Sequence, residues 1–168
     1  MTVQDTEIII DDEKIDSGDV QDIIGPLWWQ VSIYDGEEVY EADLKPFAME
    51  QRYVFALQWY LAEVYNGGHD QFYSNSTGIV WEDAMNGAKA AGLDDLHEII
   101  KKSAERMGGY PDKDRENRWK QMDELEPDFD DLDDELYHME GIEEAIAEYE
   151  KNHREAFYFK GIVGIPTY

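Results

Sequence analysis

The sequence predicts an all-α fold, a compact bundle of roughly seven or eight helices with a short β-pair at its termini. Three observations carry this prediction. Apolar residues recur at spacings of three and four through most of the chain between Val20 and Phe157. Glycine or proline punctuates most of these stretches. The 168 residues contain no internal repeat and no long linker, and 42% of them are hydrophobic, enough for one core.

Residues 1–18 read as an acidic N-terminal arm. Eight acids and one lysine lie between Asp5 and Asp22. The apolar triplet Ile8-Ile9-Ile10 within the arm is either a short strand or a frayed terminus. A single helical domain spans 19–158. Val20, Ile23, Ile24, Leu27, Trp28 and Val31 share one face, behind Asp19 or Ser17 as a cap. Pro26 requires the helix to restart there, with the proline in its first turn. Asp35-Gly36 ends this element, and an acidic loop runs to Asp43.

The clearest helix begins near Pro46. Its stripe is Val54, Leu57, Leu61 and Val64, flanked by Tyr53, Tyr60 and Tyr65. It closes at Asn66-Gly67-Gly68, where Gly67 or Gly68 is expected to take a positive φ. Further helices follow on Ile79–Ala88 and on Leu96–Met107, stopped by Gly92 and by Gly108-Gly109. Trp119, Met122 and Leu125 mark the next, ended by Pro127. Phe129, Leu132, Leu136 and Met139 mark another, and Ile142, Ala145, Ile146, Tyr149 and Phe157 the last. The apolar tail, 159–168, suits pairing with Ile8–Ile10. The five tryptophans and eleven tyrosines are assigned mostly to the core.

Charge narrows the function. Forty Asp and Glu stand against fourteen Lys and Arg, for a net charge of −26. Such a surface does not bind nucleic-acid phosphates or an anionic membrane directly, because both need a cationic face. No cysteine is present, so disulfides, a thiol nucleophile and cysteine-ligated metal are excluded. The start lacks a cationic n-region and an apolar h-region, and no stretch approaches the ~18 apolar residues of a membrane span. The expected location is the cytoplasm.

From Asp123 to Glu150 there are fourteen Asp and Glu and no Lys or Arg. The apolar stripe Phe129, Leu132, Leu136 and Met139 holds this run on a rigid surface. Glu124, Asp128, Asp131 and Glu135 step by four, three and four, while Glu140, Glu144 and Glu148 step by four. On a helix four residues rise ~6 Å, comparable with the separation of successive phosphates on a DNA strand. Unpaired like charges at this spacing destabilise a helix, and a neutralising partner would account for them. The candidate partner-binding residues are Glu124, Asp128, Asp130, Asp131, Asp133, Asp134, Glu135, Glu140 and Glu144. The bland alternative is a solubilising face.

Other motifs are weaker. Calcium loops started at Asp112 or Asp128 miss the required glycine and final glutamate. Glu-x-x-His occurs at Glu135/His138 and at Glu150/His153 and, with Glu50 and Glu63, is the only basis for a di-metal site. His69, Asp70, Ser74 and Ser76 fit no nucleophile elbow, and Asp70 reads as a helix cap. No metal, cofactor or catalytic residue is assigned.

The segment from Trp59 to Gly78 contains Asn66-Gly67-Gly68, Gln71-Phe72-Tyr73 and Asn75. This pattern, with Ala84, Ala88, Ala91-Gly92, Ile99 and Ile100 after it, resembles a bacterial family without an assigned activity that includes a neisserial DNA mimic. Phe129-Asp130-Asp131-Leu132-Asp133 resembles the family's acidic helix. The likeness spans roughly residues 20–158. It implies an all-α fold, carboxylates that stand in for a DNA backbone, occupancy of a transcription factor's DNA site, and a homodimer. Asn66, Gly67, Gly68, Gln71 and Asn75 read as a structural corner, with Gln71 and Asn75 bonding the orphaned helix ends.

The leading reading is therefore a non-enzymatic acidic protein that competes for the basic site of a nucleic-acid-binding protein. An immunity or antitoxin protein against a cationic toxin and a metal-dependent enzyme are the alternatives.

Overall fold

A computed structural model describes residues 2–167; Met1 and Tyr168, at the ends of the predicted arm and tail, lie outside the described residues. Strand β1 (Thr2–Ile10) pairs antiparallel with β2 (Phe159–Thr167), placing Ile8 opposite Gly161 and Ile10 opposite Phe159. Between them run α1 (Asp12–Ser17), α2 (Val20–Ile23), α3 (Gly25–Gln30), α4 (Glu37–Leu44) and α5 (Met49–Ser74). A 3-10 turn (Ser76–Val80) leads into α6 (Trp81–Ala90), α7 (Asp94–Arg106) and α8 (Arg115–Leu125). The described chain closes with α9 (Asp130–Tyr137), α10 (Ile142–Asn152) and α11 (Arg154–Phe157).

The fold is mainly α, but the eleven α-helices among the described residues exceed the seven or eight expected. The excess comes from short elements. Pro26 sits at the start of α3 and splits α2 from it, as the restart requires. The acidic arm contains α1, capped by the Asp11 carboxylate accepting from Lys14 N at 3.0 Å. The loop expected after Gly36 is instead α4, because Tyr40 and Leu44 lie one turn apart and both bury their side chains.

Helix α5 is the axis of the core. Val54, Phe55, Ala56, Leu57, Tyr60, Leu61 and Val64 are all buried, so its middle is covered on nearly every side. Helix α6 packs closely against it: a Cβ at Gly87 would sit 2.8 Å from Tyr53 Cβ. The inner face of the ribbon adds Ile10 and Val163, while Val3, Ile9 and Ile162 face outward. Among the described residues no helix is long and apolar enough to cross a membrane.

Helix α4 is tied down by a buried polar contact. The Tyr40 hydroxyl donates to Asp83 Oδ2 at 2.6 Å, and Arg52 Nε lies 2.9 Å from the same oxygen. Burial and the Asp83 carboxylate push the Tyr40 phenol well above its ordinary range. Tyr40→Phe is expected to cost about 1.5–3 kcal/mol, the worth of a hydrogen bond to a charged group. Urea denaturation measures it, and an unchanged midpoint would show that α4 does not depend on this contact.

Candidate functional site

The acidic run folds onto three helices rather than one. Glu126 adopts φ 45°, ψ 54° at the end of α8, and Pro127 follows it, so the chain turns before α9. Glu124 therefore belongs to α8, while Asp131 and Glu135 belong to α9 and Asp128 lies in the turn between. Gly141, at φ 80°, separates Glu140 from Glu144 in α10. The expected four-three-four ladder is thus broken by backbone turns that helical spacing alone does not register.

Eight of the nine candidate residues are exposed, as are Asp123, Glu126, Glu143 and Glu148 in the same run. The eight are Glu124, Asp128, Asp130, Asp131, Asp134, Glu135, Glu140 and Glu144. Of these eight, only Asp131 is ion-paired among the described residues, with Arg106. Arg106 Nη2 donates to Asp131 Oδ2 at 2.8 Å, and Nη1 donates to the Asp128 carbonyl at 2.9 Å. The hydrogen bond from Arg106 holds the Asp131 carboxyl at about 2. Arg106, from α7, thereby pins the start of α9.

Asp133 is placed differently from its neighbours. Its side chain turns inward, accepting from His69 N at 2.9 Å, with His69 Nδ1 2.5 Å from the same Oδ1. Burial alone would raise its pKa, but the hydrogen bonds from the His69 ring and backbone outweigh this and hold it below the usual carboxylate range. The ionised carboxylate only accepts, so Nδ1 carries the proton. His69 Nε2 lies 2.7 Å from the Tyr60 hydroxyl, which donates to it in the neutral ring. His69 and Tyr60 are both fully buried. Asp133 thus links the acidic helix to the core instead of presenting a charge to solvent.

The Asn66–Asn75 segment makes this link possible. The chain leaves helical geometry at Gly67 (φ −154°, ψ 18°) and Gly68 (φ 75°, ψ −177°), then resumes it at His69. The restarted segment exposes unpaired N–H groups. Asp70 makes no capping hydrogen bond among the described residues; the cap comes from Asp133, 64 positions away. A carboxylate is favourable there because a helix N-terminus carries partial positive charge. Gly68 admits it: a Cβ at this position would lie 2.4 Å from Asp133 Oδ2.

Gln71 and Asn75 do not bond the helix ends as expected. Their amide nitrogens both donate to Glu63 Oε2, at 2.7 and 3.2 Å. Asn66 is exposed and makes no side-chain hydrogen bond among the described residues. The carbonyls at the end of α5 are instead met from α8. Arg118 Nε donates to Tyr73 O at 2.9 Å and Nη2 to Asn75 O at 2.7 Å, while Trp119 Nε1 and Arg115 Nε each donate to Ser74 O at 2.8 Å. Arg118 is fully buried, and burial pulls its pKa down to about 10. The expected apolar stripe of α8 is overturned by this arrangement. Trp119 and Leu125 are exposed, and the residue the helix buries is Arg118.

The model of the DMP19-like protein family matches residues 46–153, well over half of the chain. The chain belongs to that family. The DMP19-like match covers α5 to α10 and so contains both the glycine corner and most of the acidic run from Asp123 to Glu150. It is narrower than the resemblance read from the sequence, leaving the ribbon, α1–α4 and α11 outside. No curated protein and no solved structure matches the chain.

Within the DMP19-like region the two Glu-x-x-His pairs do not converge. Glu135 and His138 are exposed, Glu63 is held by Gln71 and Asn75, and Glu150 is fully buried. Among the described residues no three His, Asp or Glu side chains are grouped to hold a metal ion. Helical spacing offered those pairs, but α9 and α10 direct them to different surroundings. Residues missed by the sequence reading were Arg106, Arg118 and the linking role of His69. None sits in a local pattern, because each acts on a distant element.

Proposed function

We propose that this DMP19-like protein is a non-enzymatic binding protein whose acidic face occupies the basic site of a nucleic-acid-binding protein, in the manner of a DNA mimic. The observation that carries this is the exposure of eight of the nine candidate carboxylates on and around α8–α10, seven of them without an ion-pair partner among the described residues. They stand on a scaffold fixed by Arg106, His69 and Arg118, so the charges keep their positions. Such a surface attracts a cationic site over a Debye length and accelerates encounter. Membership of a family that includes a DNA mimic supports the same reading. The action is competitive occupancy, requires no cofactor, and would take place in the cytoplasm.

The test converts Asp134, Glu135 and Glu140 to lysine and leaves Asp131 and Asp133 in their internal contacts. The intact protein, immobilised in a lysate of its source cell, is expected to retain a DNA-binding protein that duplex DNA displaces. The triple-lysine variant is expected to bind that protein at least tenfold more weakly, with a shallower salt dependence, and to melt no lower. Undiminished binding by the variant, or retention that DNA does not disturb, would overturn the proposal.

A further inference from the structure

The acidic face contains an aromatic pair that charge alone does not explain. Tyr65, from the last turn before the Gly67-Gly68 kink, stacks on Tyr137 of α9 with ring centroids 6.2 Å apart and planes 27° from parallel. The two side chains remain 50% and 45% exposed. The pair is held in place, since the Tyr137 hydroxyl donates to the Val64 carbonyl at 2.8 Å. Asp134 lies three positions before Tyr137 on α9 and so neighbours it on the same helix face. Partial burial and Glu143 raise the Tyr65 phenol, while partial burial, Asp133 and Asp134 raise that of Tyr137.

Two other rings carry one of the chain's own cations: Arg52 lies over Tyr40 and Arg115 over Trp119. No Lys or Arg of the chain occupies either ring of the Tyr65–Tyr137 pair among the described residues. Asp134 and Glu143 likewise lack an ion-pair partner among the described residues. Two ring faces beside a free carboxylate complement one group in particular. A guanidinium is planar, weakly hydrated and stacks on aromatic rings while its edge bonds a carboxylate; an ammonium is compact and strongly hydrated.

We infer that the Tyr65–Tyr137 pair, with Asp134 beside it on α9, is an arginine-docking site at which the partner's basic segment is read. The inference rests on the acidic-face reading and sharpens it: the face selects arginine over lysine at this point, which a charge cluster alone does not.

The test compares a nine-residue oligoarginine with an oligolysine of equal length by titration calorimetry at two salt concentrations. Tyr65→Leu is expected to weaken oligoarginine binding about threefold, the worth of an exposed cation–π contact, and to leave oligolysine binding unchanged. Tyr65→Phe keeps the ring face and is expected to keep the arginine affinity. Equal effects of Tyr65→Leu on both peptides, or a Tyr65→Phe loss as large as that of Tyr65→Leu, would overturn the arginine site alone. Failure of both peptides to bind the intact protein at low salt would overturn the acidic-face reading as well.

Discussion

Valine at position 68 is expected to destabilise the protein by about 3 kcal/mol or more and to loosen α9 from the bundle. Two independent terms add. Gly68 has φ 75° and ψ −177°, a region that only glycine enters readily, and other residues held there cost about 1–3 kcal/mol. The new Cβ would also lie 2.4 Å from Asp133 Oδ2. Asp133 would have to withdraw, leaving the buried His69 N–H groups without their acceptor, at about 1–3 kcal/mol for each unmet polar group. Gly67→Ala makes the contrast. Its φ of −154° suits any residue. Its Cβ would lie 2.9 Å from Gln71 Cβ and displace the Gln71 amide from Glu63, but no buried donor loses its acceptor, so a smaller loss is expected. Urea denaturation of both variants decides the matter. A Gly68→Val midpoint equal to that of the intact protein would mean that the close approach of α9 to the corner is not needed for stability. On the proposed function, in which α9 carries part of the recognition surface, the same variant should also lose partner affinity without any change of surface charge.

Glu150→Met should act in the opposite direction. Glu150 is fully buried in α10, and neither carboxyl oxygen has a hydrogen-bond partner among the described residues. Burial, with smaller contributions from Glu143 and Asp19, pushes its carboxyl up from 4.5 to about 9. In the folded protein it is therefore protonated at neutral pH, whereas in the unfolded chain it ionises above its ordinary value. Folding takes up a proton between these two values, so stability is lost as pH rises from about 4.5 to about 9. The slope is about 1.4 kcal/mol per pH unit, which makes the loss about 3 kcal/mol by pH 7. Methionine fills a similar volume without ionising. Its variant should melt higher at pH 7, with the difference from the intact protein growing towards pH 9 and levelling off below about pH 4.5 at a pH-independent remainder set by the unmet carboxyl oxygens. Parallel stability curves for the two proteins across this range would show that Glu150 does not carry the linkage.

Much of this architecture is legible in local pattern. The stripe Val54, Leu57, Leu61 and Val64 implies a buried helix, and all four residues line the core. The glycine stops at Gly92, Gly108 and Gly109 coincide with positive φ values, as does Gly68 at the corner. Ile8–Ile10 and the apolar tail pair as expected. Helix α4 was missed because its acidic sequence reads as a loop until Tyr40 and Leu44 find partners in the core. Helix α8 was found, but with the wrong buried face: a side chain with five donors serves the carbonyl-rich end of α5 better than an apolar one.

By itself, then, the amino-acid sequence determined the mainly helical class, the places where helices stop, the net charge of −26 and the concentration of acids from Asp123 to Glu150. These follow from periodicity, backbone allowance and counting, which act within a few residues of one another or over the whole chain at once. Only the tertiary structure decided which acids stay free and which are spent. Asp133 and His69 lie 64 positions apart, and Arg106 and Asp131 lie 25 apart. Their hydrogen bonds exist only once α5, α7 and α9 are packed together. The division of one acidic run into anchors and exposed charges was set by where packing left unmet donors, and no local spacing rule encodes that.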